Sequence, residues 1–237
     1  FGCGRHDPLA LATVAYVSGF DRAIACDLDP VEIPAYSALS MYDILLELNR
    51  FPQRFLLPGA DKKSFRARVK PIAARRFANR DFKGGIAELQ GKVDYRIAEL
   101  TSLEVADGEL GFVVSIATLE HVADPATIYR WLFRKSRPTG GQFHYIDLCD
   151  HRAYGSDSKF DAWSFLTEEN ASPNVNRLRA HEHLELIRQA GFEVVREERV
   201  TNDIPPATRE RLIAPWRSLP KEELETVGLR LLLRRPA

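Results

Sequence analysis

Apolar and polar residues along this chain follow two periods, and the switches between them mark the elements. After a glycine-rich opening, residues 8–18 carry apolar positions at helical spacing. Asp7 is placed as N-cap, Pro8 at the first helical position, and Gly19 ends the run. Residues 23–26 form a short apolar run with a polar exit at Asp27-Leu28-Asp29-Pro30, the signature of a buried strand. Residues 31–92 lack clean strand signals and predict several helices. Beyond them the pattern predicts strands at 93–97 and 112–115 and a helix at 125–135. A turn at Arg137-Pro138-Thr139-Gly140-Gly141 leads into a strand at 142–148. A helix at 181–189 stops at Gly191, and strand-like runs follow at 192–200 and 229–234. Strands alternating with helices imply a mostly parallel sheet with both faces covered.

Composition narrows this picture. The 237 residues suit one large domain or one domain with an elaboration, and 45% hydrophobic content argues against disorder. No apolar run approaches the roughly 18–20 residues of a membrane helix. Cys3, Cys26 and Cys149 are odd in number and widely spaced, which gives no disulfide framework and suits a reducing, cytoplasmic setting. Lys plus Arg and Asp plus Glu both number 33, so the chain is neutral and is not a strongly basic nucleic-acid binder. That neutrality is a cancellation. Residues 61–83 hold nine basic residues (Lys62, Lys63, Arg66, Arg68, Lys70, Arg75, Arg76, Arg80 and Lys83) against Asp61 and Asp81, a net of +7. Phe65, Val69 and Ile72 are spaced for a helix between these charges, which Pro71 would kink or divide.

The first chemistry lies at the start. Phe1-Gly2-Cys3-Gly4 looks like a strand end entering a glycine turn, so native residues are expected to precede Phe1. Glycines let a ligand approach the backbone, and the following helix offers free N–H groups. Asp27 lies 23 residues beyond Gly4, at the end of the next strand, where a carboxylate reaches ribose hydroxyls in a doubly wound fold. Asp7 stands where the dinucleotide fingerprint has its third glycine and would repel a pyrophosphate, which favours a nucleoside ligand without phosphates over NAD.

With these residues the chain resembles a class I S-adenosylmethionine-dependent methyltransferase. Phe1-Gly2-Cys3-Gly4-Arg5 resembles the family's first motif, although His6 replaces the third glycine of its GxGxG. Cys26 to Pro30 resembles the acidic end of the second strand. FVVSIATLEHVAD (112–124) resembles the fourth strand with the helix after it, RPTGGQFHYID (137–147) the turn into the fifth, and HEHLELIRQAGFEVV (181–195) the last helix and sixth strand. The resemblance implies a Rossmann-like, doubly wound, seven-stranded sheet with the last strand antiparallel, in a single domain over residues 1–237. The connection at 31–92, 62 residues where the family needs about twenty, becomes a helical insertion after the second strand.

The resemblance also implies roles. Gly2 and Gly4 would lie against the methionine moiety, Asp27 would bind the ribose and Leu28 would face the adenine. Glu99 and Leu100 would meet the adenine amino group and ring, and Ser115 and Ile116 the methionine part. An oxygen acceptor needs a base at the carboxyl ends of the central strands. Glu120 and His121 follow the fourth strand, and Asp150 and His151 the fifth. No metal is expected. Ala117 stands where metal-binding relatives with a Glu-His motif carry a further glutamate, and His181 and His183, two apart on a helix, point to different faces.

IDLCDH, DAWSFL and NRLRAHEH, within residues 146–183, resemble a bacterial subset associated with polysaccharide and glycan biosynthesis. In that subset a long loop, here 149–180, covers the substrate, with Trp163, Phe165 and Arg177 near the acceptor. The expected function is methyl transfer from S-adenosylmethionine to an oxygen, or as the lesser alternative a nitrogen, of a small molecule, with a glycan or glycosylated metabolite, phosphorylated or not, as the preferred acceptor. An RNA methyltransferase docking through the basic insertion is the alternative, and a non-catalytic protein of the same fold is the third reading; an oligomer is compatible with each.

Overall fold

The structure is a computed structural model and describes residues 1–56, 61–72, 74–156, 159–171 and 174–237. Parts of the 31–92 insertion and of the 149–180 segment therefore lie outside the described residues. The chain divides into two compact units, Phe1–Leu103 and Glu104–Ala237.

In the first unit, helix α1 (Ala10–Ser18) precedes strand β1 (Ala23–Asp27). The Asp7 cap is not formed. The helix begins after a turn through Pro8 and Leu9, has no side-chain cap, and leaves Asp7 Oδ1 buried without a partner. Gly19, at φ 130°, closes the other end by donating its N–H to Ala15 and Tyr16 carbonyls. The connection that follows is helical, as its composition predicts. It comprises α2 (Pro34–Arg50), α3 (Lys62–Val69), α4 (Ala74–Ala78) and α5 (Phe82–Leu89). Ala38, Met41, Leu45 and Leu48 put one face of α2 into the core beside Phe65, Phe77 and Leu89. Asp61 and Asp81 cap α3 and α5 by accepting the N–H groups of Ser64 and Gly84. Pro71 lies between α3 and α4, where its missing N–H and ring end one helix before the next starts. Strand β2 (Val93–Ile97) then pairs in parallel with β1, Asp27 opposite Ile97.

The second unit holds β3 (Leu110–Ile116), α6 (Pro125–Lys135), β4 (Ser136–Asp147), α7 (Ala180–Gln189), β5 (Glu193–Thr201), α8 (Pro206–Arg211), α9 (Lys221–Glu225) and β6 (Thr226–Arg234). Its sheet runs β3-β4-β6-β5, with β3 parallel to β4 and β6 antiparallel to both of its neighbours. The antiparallel last strand is present. The seven-stranded sheet is not: the described residues form six strands in a two-stranded and a four-stranded sheet. Residues 1–4 are no strand; they form the turn, with Cys3 N–H donating to Cys26 O at 3.2 Å.

The turn expected at 137–141 is instead a bulge inside β4. Ser136 pairs with Leu110 and Gly141 with Phe112, so β4 spends extra residues, including Thr139 at φ 63°, where β3 spends one. The 149–180 segment folds into 3-10 turns at His151–Tyr154 and Ser164–Leu166. Trp163, Phe165 and Leu166 join Cys149, Ile204, Leu212, Leu224 and Val227 in a second hydrophobic core. Through Cys149, Trp163, Phe165 and Leu166 the described residues of this segment are packed structure of the second unit.

Candidate functional site

In the first unit the glycine turn meets the carboxyl ends of β1 and β2. Gly2 and Gly4 have φ of 60° and 84°, the left-handed region where side chains are strained. A Cβ built on Gly4 meets no atom within 4 Å, so the space beside this backbone is open to a ligand. Asp27 holds the turn. Its Oδ2 accepts Gly4 N–H at 2.8 Å and its Oδ1 accepts Asp29 N–H at 3.3 Å. Each oxygen keeps a lone pair for a further donor. Leu28 is 67% exposed at the same edge, offering an apolar surface. Glu99 is exposed just past β2, and Leu100 starts the 3-10 turn after it. The structure therefore brings Gly2, Gly4, Asp27, Leu28, Glu99 and Leu100 to one edge of one small sheet. Burial pushes the Cys3 thiol in this turn up to about 12, with Asp27 adding to the rise, so it stays protonated.

In the second unit the parity of β3 decides which strand-end residue is available. Ser115 points into the core, where its Oγ bonds His144 Nδ1 at 2.7 Å. His144 Nε2 donates to Gln142 Oε1 at 2.8 Å, and Gln142 Nε2 donates to Ser136 Oγ at 2.8 Å. This network assigns the His144 proton to Nε2, so the Ser115 hydroxyl is the donor to Nδ1. Ser115 is thereby consumed, against the expectation that it faces a methionine chain, whereas Ile116 is 45% exposed. Burial lowers His144 to about 3 and, on α7, His183 to about 4.

At the carboxyl ends of β3 and β4 the four acid–base candidates separate. Asp150 is buried, caps the following 3-10 turn, and binds Arg152 Nε and Nη2 at 2.7–3.1 Å, while Arg152 also binds Glu168. A carboxylate satisfied in this way is structural, a correction to its place beside His151. Glu120, His121 and His151 instead converge, with one potential ligand atom from each lying within 4.8 Å of the others. Glu120 is 1% exposed, and neither carboxyl oxygen has a hydrogen-bond partner. Burial pushes this carboxyl up to about 7. The nearby Asp147 charge adds to the rise. His121 Nδ1 donates to Asn174 O at 2.6 Å, which leaves Nε2 with its lone pair. The His121 and His151 ring centroids are 4.8 Å apart at 72°. Burial lowers the His151 imidazole, and its Nε2 stands 3.5 Å from Asp147 Oδ2 without a hydrogen bond.

Several residues around this cluster escaped the sequence reading. Asn176 clamps the Glu120 turn, donating its N–H to Glu120 O at 2.6 Å and its Nδ2 to Leu119 and Val122 carbonyls. Tyr154, 64% exposed, donates to Asp147 Oδ2 at 2.6 Å, and its ring lies 5.3 Å from that of His151. Fully buried Arg179 donates to the carbonyls of Leu148, Glu223, Leu224 and Thr226 and so ties the end of β4 to β6. Asn176 and Arg179 lie in the string NRLRAHEH, but nothing in sequence distinguishes buried Arg179 from Arg177 beside it.

The substrate-side expectations need correction. Trp163 and Phe165 are buried in the second core, Trp163 donating its indole N–H to Leu224 O. They pack the segment and present no face to an acceptor. Arg177 donates to the Glu168 and Glu169 carbonyls and stacks 4.2 Å over the Trp216 ring, which commits its guanidinium locally. As expected, His181 and His183 diverge: His181 bonds Glu223 on the surface and His183 bonds Tyr129 in the core.

The first unit thus carries a glycine turn held by a strand-end carboxylate, and the second an α/β arrangement with a mixed sheet. Residues 1–197 match the family described as Methyltransferase domain, and the chain belongs to it. Among solved structures it is similar to the 4+2 cyclase SpnF (19% identity, 71% of this chain and 63% of that one, TM-score 0.41). It is also similar to an S-adenosylmethionine-dependent methyltransferase from Mesorhizobium loti (18%, 68% and 76%, 0.42). A third likeness is to Haemonchus contortus phosphoethanolamine N-methyltransferase 2 in complex with S-adenosylmethionine (14%, 70% and 42%, 0.44). No curated protein matches the chain. No described helix is long and apolar enough to cross a membrane.

Proposed function

We propose that the protein methylates an oxygen of a small-molecule acceptor, with a glycan or glycosylated metabolite as the preferred class. The observation that carries this reading is the convergence of Glu120, His121 and His151 at the carboxyl ends of β3 and β4. When bound, S-adenosylmethionine supplies a methyl group made electrophilic by its sulfonium. The first unit fits that donor: Gly4 leaves open space beside its backbone, Asp27 offers lone pairs to ribose hydroxyls, and exposed Leu28 offers an apolar surface for adenine. A hydroxyl acceptor is a poor nucleophile until it loses its proton. The His121 Nε2 lone pair can accept that proton, and so can the His151 imidazole, whose neutral form burial favours. Exposed Tyr154 beside His151 is the aromatic face suited to a sugar ring, a role the buried Trp163 and Phe165 do not fill.

A second reading draws on the insertion. Lys62, Lys63, Arg66, Lys70, Arg75, Arg80 and Lys83 are exposed, and none makes an ion pair with a described residue. Such a surface suits a phosphorylated acceptor or RNA. Release of S-adenosylhomocysteine, measured with sugar hydroxyl acceptors, phosphorylated sugars and RNA, tests these readings. Release with sugar acceptors supports the first. Release with RNA alone, falling steeply with salt, transfers the assignment to the second.

A further inference from the structure

We propose that Glu120, His121 and His151 form a binding site for a divalent transition-metal ion of the zinc class, with coordination positions left open for an acceptor hydroxyl.

The donor set is two imidazole nitrogens and one carboxylate oxygen from the carboxyl ends of two adjacent parallel strands. Three protein ligands with open positions is the composition of a catalytic site, and imidazole selects zinc, iron, cobalt or nickel over magnesium and calcium. Donors around such an ion stand about 3–3.5 Å apart, given bonds of about 2.0–2.2 Å. The candidate ligand atoms lie within 4.8 Å of one another, so they must draw together to hold an ion.

A second observation points to a ligand independently of that clustering. Glu120 is 99% buried with both carboxyl oxygens unpartnered, and His151 Nε2 is buried and unpartnered as well. Buried polar atoms in folded proteins nearly always have partners, and an orphaned carboxylate is costly. Here an orphaned buried carboxylate lies beside two imidazoles, and a cation held between them satisfies it. The surroundings are those of a prepared site. His121 Nδ1–H is fixed by Asn174 O, which orients the ring and reserves Nε2 for a ligand. Asp147 stands beside His151 as a further negative charge and is itself held by Tyr154 and by Cys149 N–H. Asn176 fixes the backbone of the Glu120 turn with three hydrogen bonds. The glutamate that Ala117 replaces in metal-binding relatives is not needed for this set, whose second imidazole comes from His151.

The use of the ion rests on the proposed O-methylation, whereas its binding does not. A hydroxyl coordinated at an open position loses its proton more readily, to solvent, and the imidazoles then serve as ligands and not as bases.

The test is titration of the metal-free protein with cobalt(II), read by visible absorption, and with zinc, read by calorimetry, with no donor or acceptor present. One equivalent is expected, with cobalt bands of a four- or five-coordinate site. His121→Ala, on an exposed side chain, and Glu120→Gln, which keeps the shape, should each weaken binding by about tenfold or more. His181→Ala should leave it unchanged. Absence of stoichiometric binding, or binding indifferent to His121→Ala and Glu120→Gln in variants with native circular dichroism, would overturn the site. S-adenosylhomocysteine affinity, measured separately without metal, reports on the methyltransferase reading, so the two failures are distinguishable.

Discussion

Replacing Asp27 tests the donor site at its most specific point. Its two oxygens already accept the N–H groups of Gly4 and Asp29, and each has one lone pair left to receive a ribose hydroxyl. Hydrogen bonds to a charged acceptor contribute about 1.5–3 kcal/mol each. Asp27 is only half buried, so the lower end applies. Losing one such bond corresponds to about tenfold in affinity, and losing both to about a hundredfold. Asp27→Asn keeps one acceptor oxygen and should weaken S-adenosylhomocysteine binding by about tenfold. Asp27→Ala removes both and should cost about a hundredfold. The same substitution frees Gly4 N–H, so the turn loosens and the fold should lose about 1 kcal/mol by urea unfolding. Calorimetric titration with S-adenosylhomocysteine reads the first effect. Unchanged affinity in Asp27→Ala would remove Asp27 from the site and with it the assignment of the glycine turn. A graded loss from Asn to Ala, with little change in folding, is the pattern that two ribose bonds require.

Four further outcomes follow from the geometry. Gly4→Ala strains a backbone at φ 84° and fills space that is open in the free protein, so it should fold yet bind S-adenosylhomocysteine more weakly in the same titration. Its affinity would stay at the native value if no ligand approached that backbone. His144 and His183 are held neutral, at about 3 and about 4, below the unfolded value near 6.5. Their contribution to stability is therefore complete above pH 6.5 and is lost as pH falls toward 4, at about 1.4 kcal/mol for each pH unit and each histidine. Urea midpoints between pH 7.5 and 4.5 should fall accordingly, and His183→Gln should flatten the profile. Arg179→Leu removes the guanidinium donors from the carbonyls of Leu148, Glu223, Leu224 and Thr226, of which Leu224 O keeps the Trp163 indole, and should cost about 3–5 kcal/mol, measured by urea unfolding. Trp163→Phe, which loses one indole bond inside a core, should lower stability by about 1–2 kcal/mol and leave acceptor KM unchanged; a raised KM would return Trp163 to the acceptor site.

Much of the framework is legible in sequence, because local physics fixes it. The period of apolar residues places β2 and α6, Asp124 caps α6 by accepting Thr127 N–H, and Pro71 separates α3 from α4. The glycine turn and Asp27 are legible because backbone at positive φ and a carboxylate at a strand end are local requirements. What is not legible depends on pairing across the chain. The Arg137–Gly141 run has turn chemistry, yet pairing with β3 draws it into β4 as a bulge. Ser115 and Ile116 are neighbours, and only the pleat decides that the first bonds His144 in the core while the second is exposed. Asp7 precedes a proline as a cap would, yet the helix starts two residues later. Trp163 and Phe165 look like a substrate platform until the core formed with Leu212, Leu224 and Val227 claims them.

The same distinction sorts the chemistry. Sequence offers Glu120, His121, Asp150 and His151 as equivalent groups following two strands. Partner satisfaction makes them unequal. Asp150 spends its oxygens on Arg152 and on the turn it caps, and Arg152 is held in turn by Glu168, so this triad is complete without any ligand. Glu120, equally buried, spends nothing, although an unpartnered carboxylate in that position destabilises the fold and argues for replacement by an apolar residue on stability grounds alone. The ion proposed above would offset that cost, since it would satisfy Glu120 together with the two imidazoles beside it. The acceptor chemistry of this protein is therefore to be sought at Glu120, His121 and His151, with Asp150 and Arg152 as the frame that positions His151.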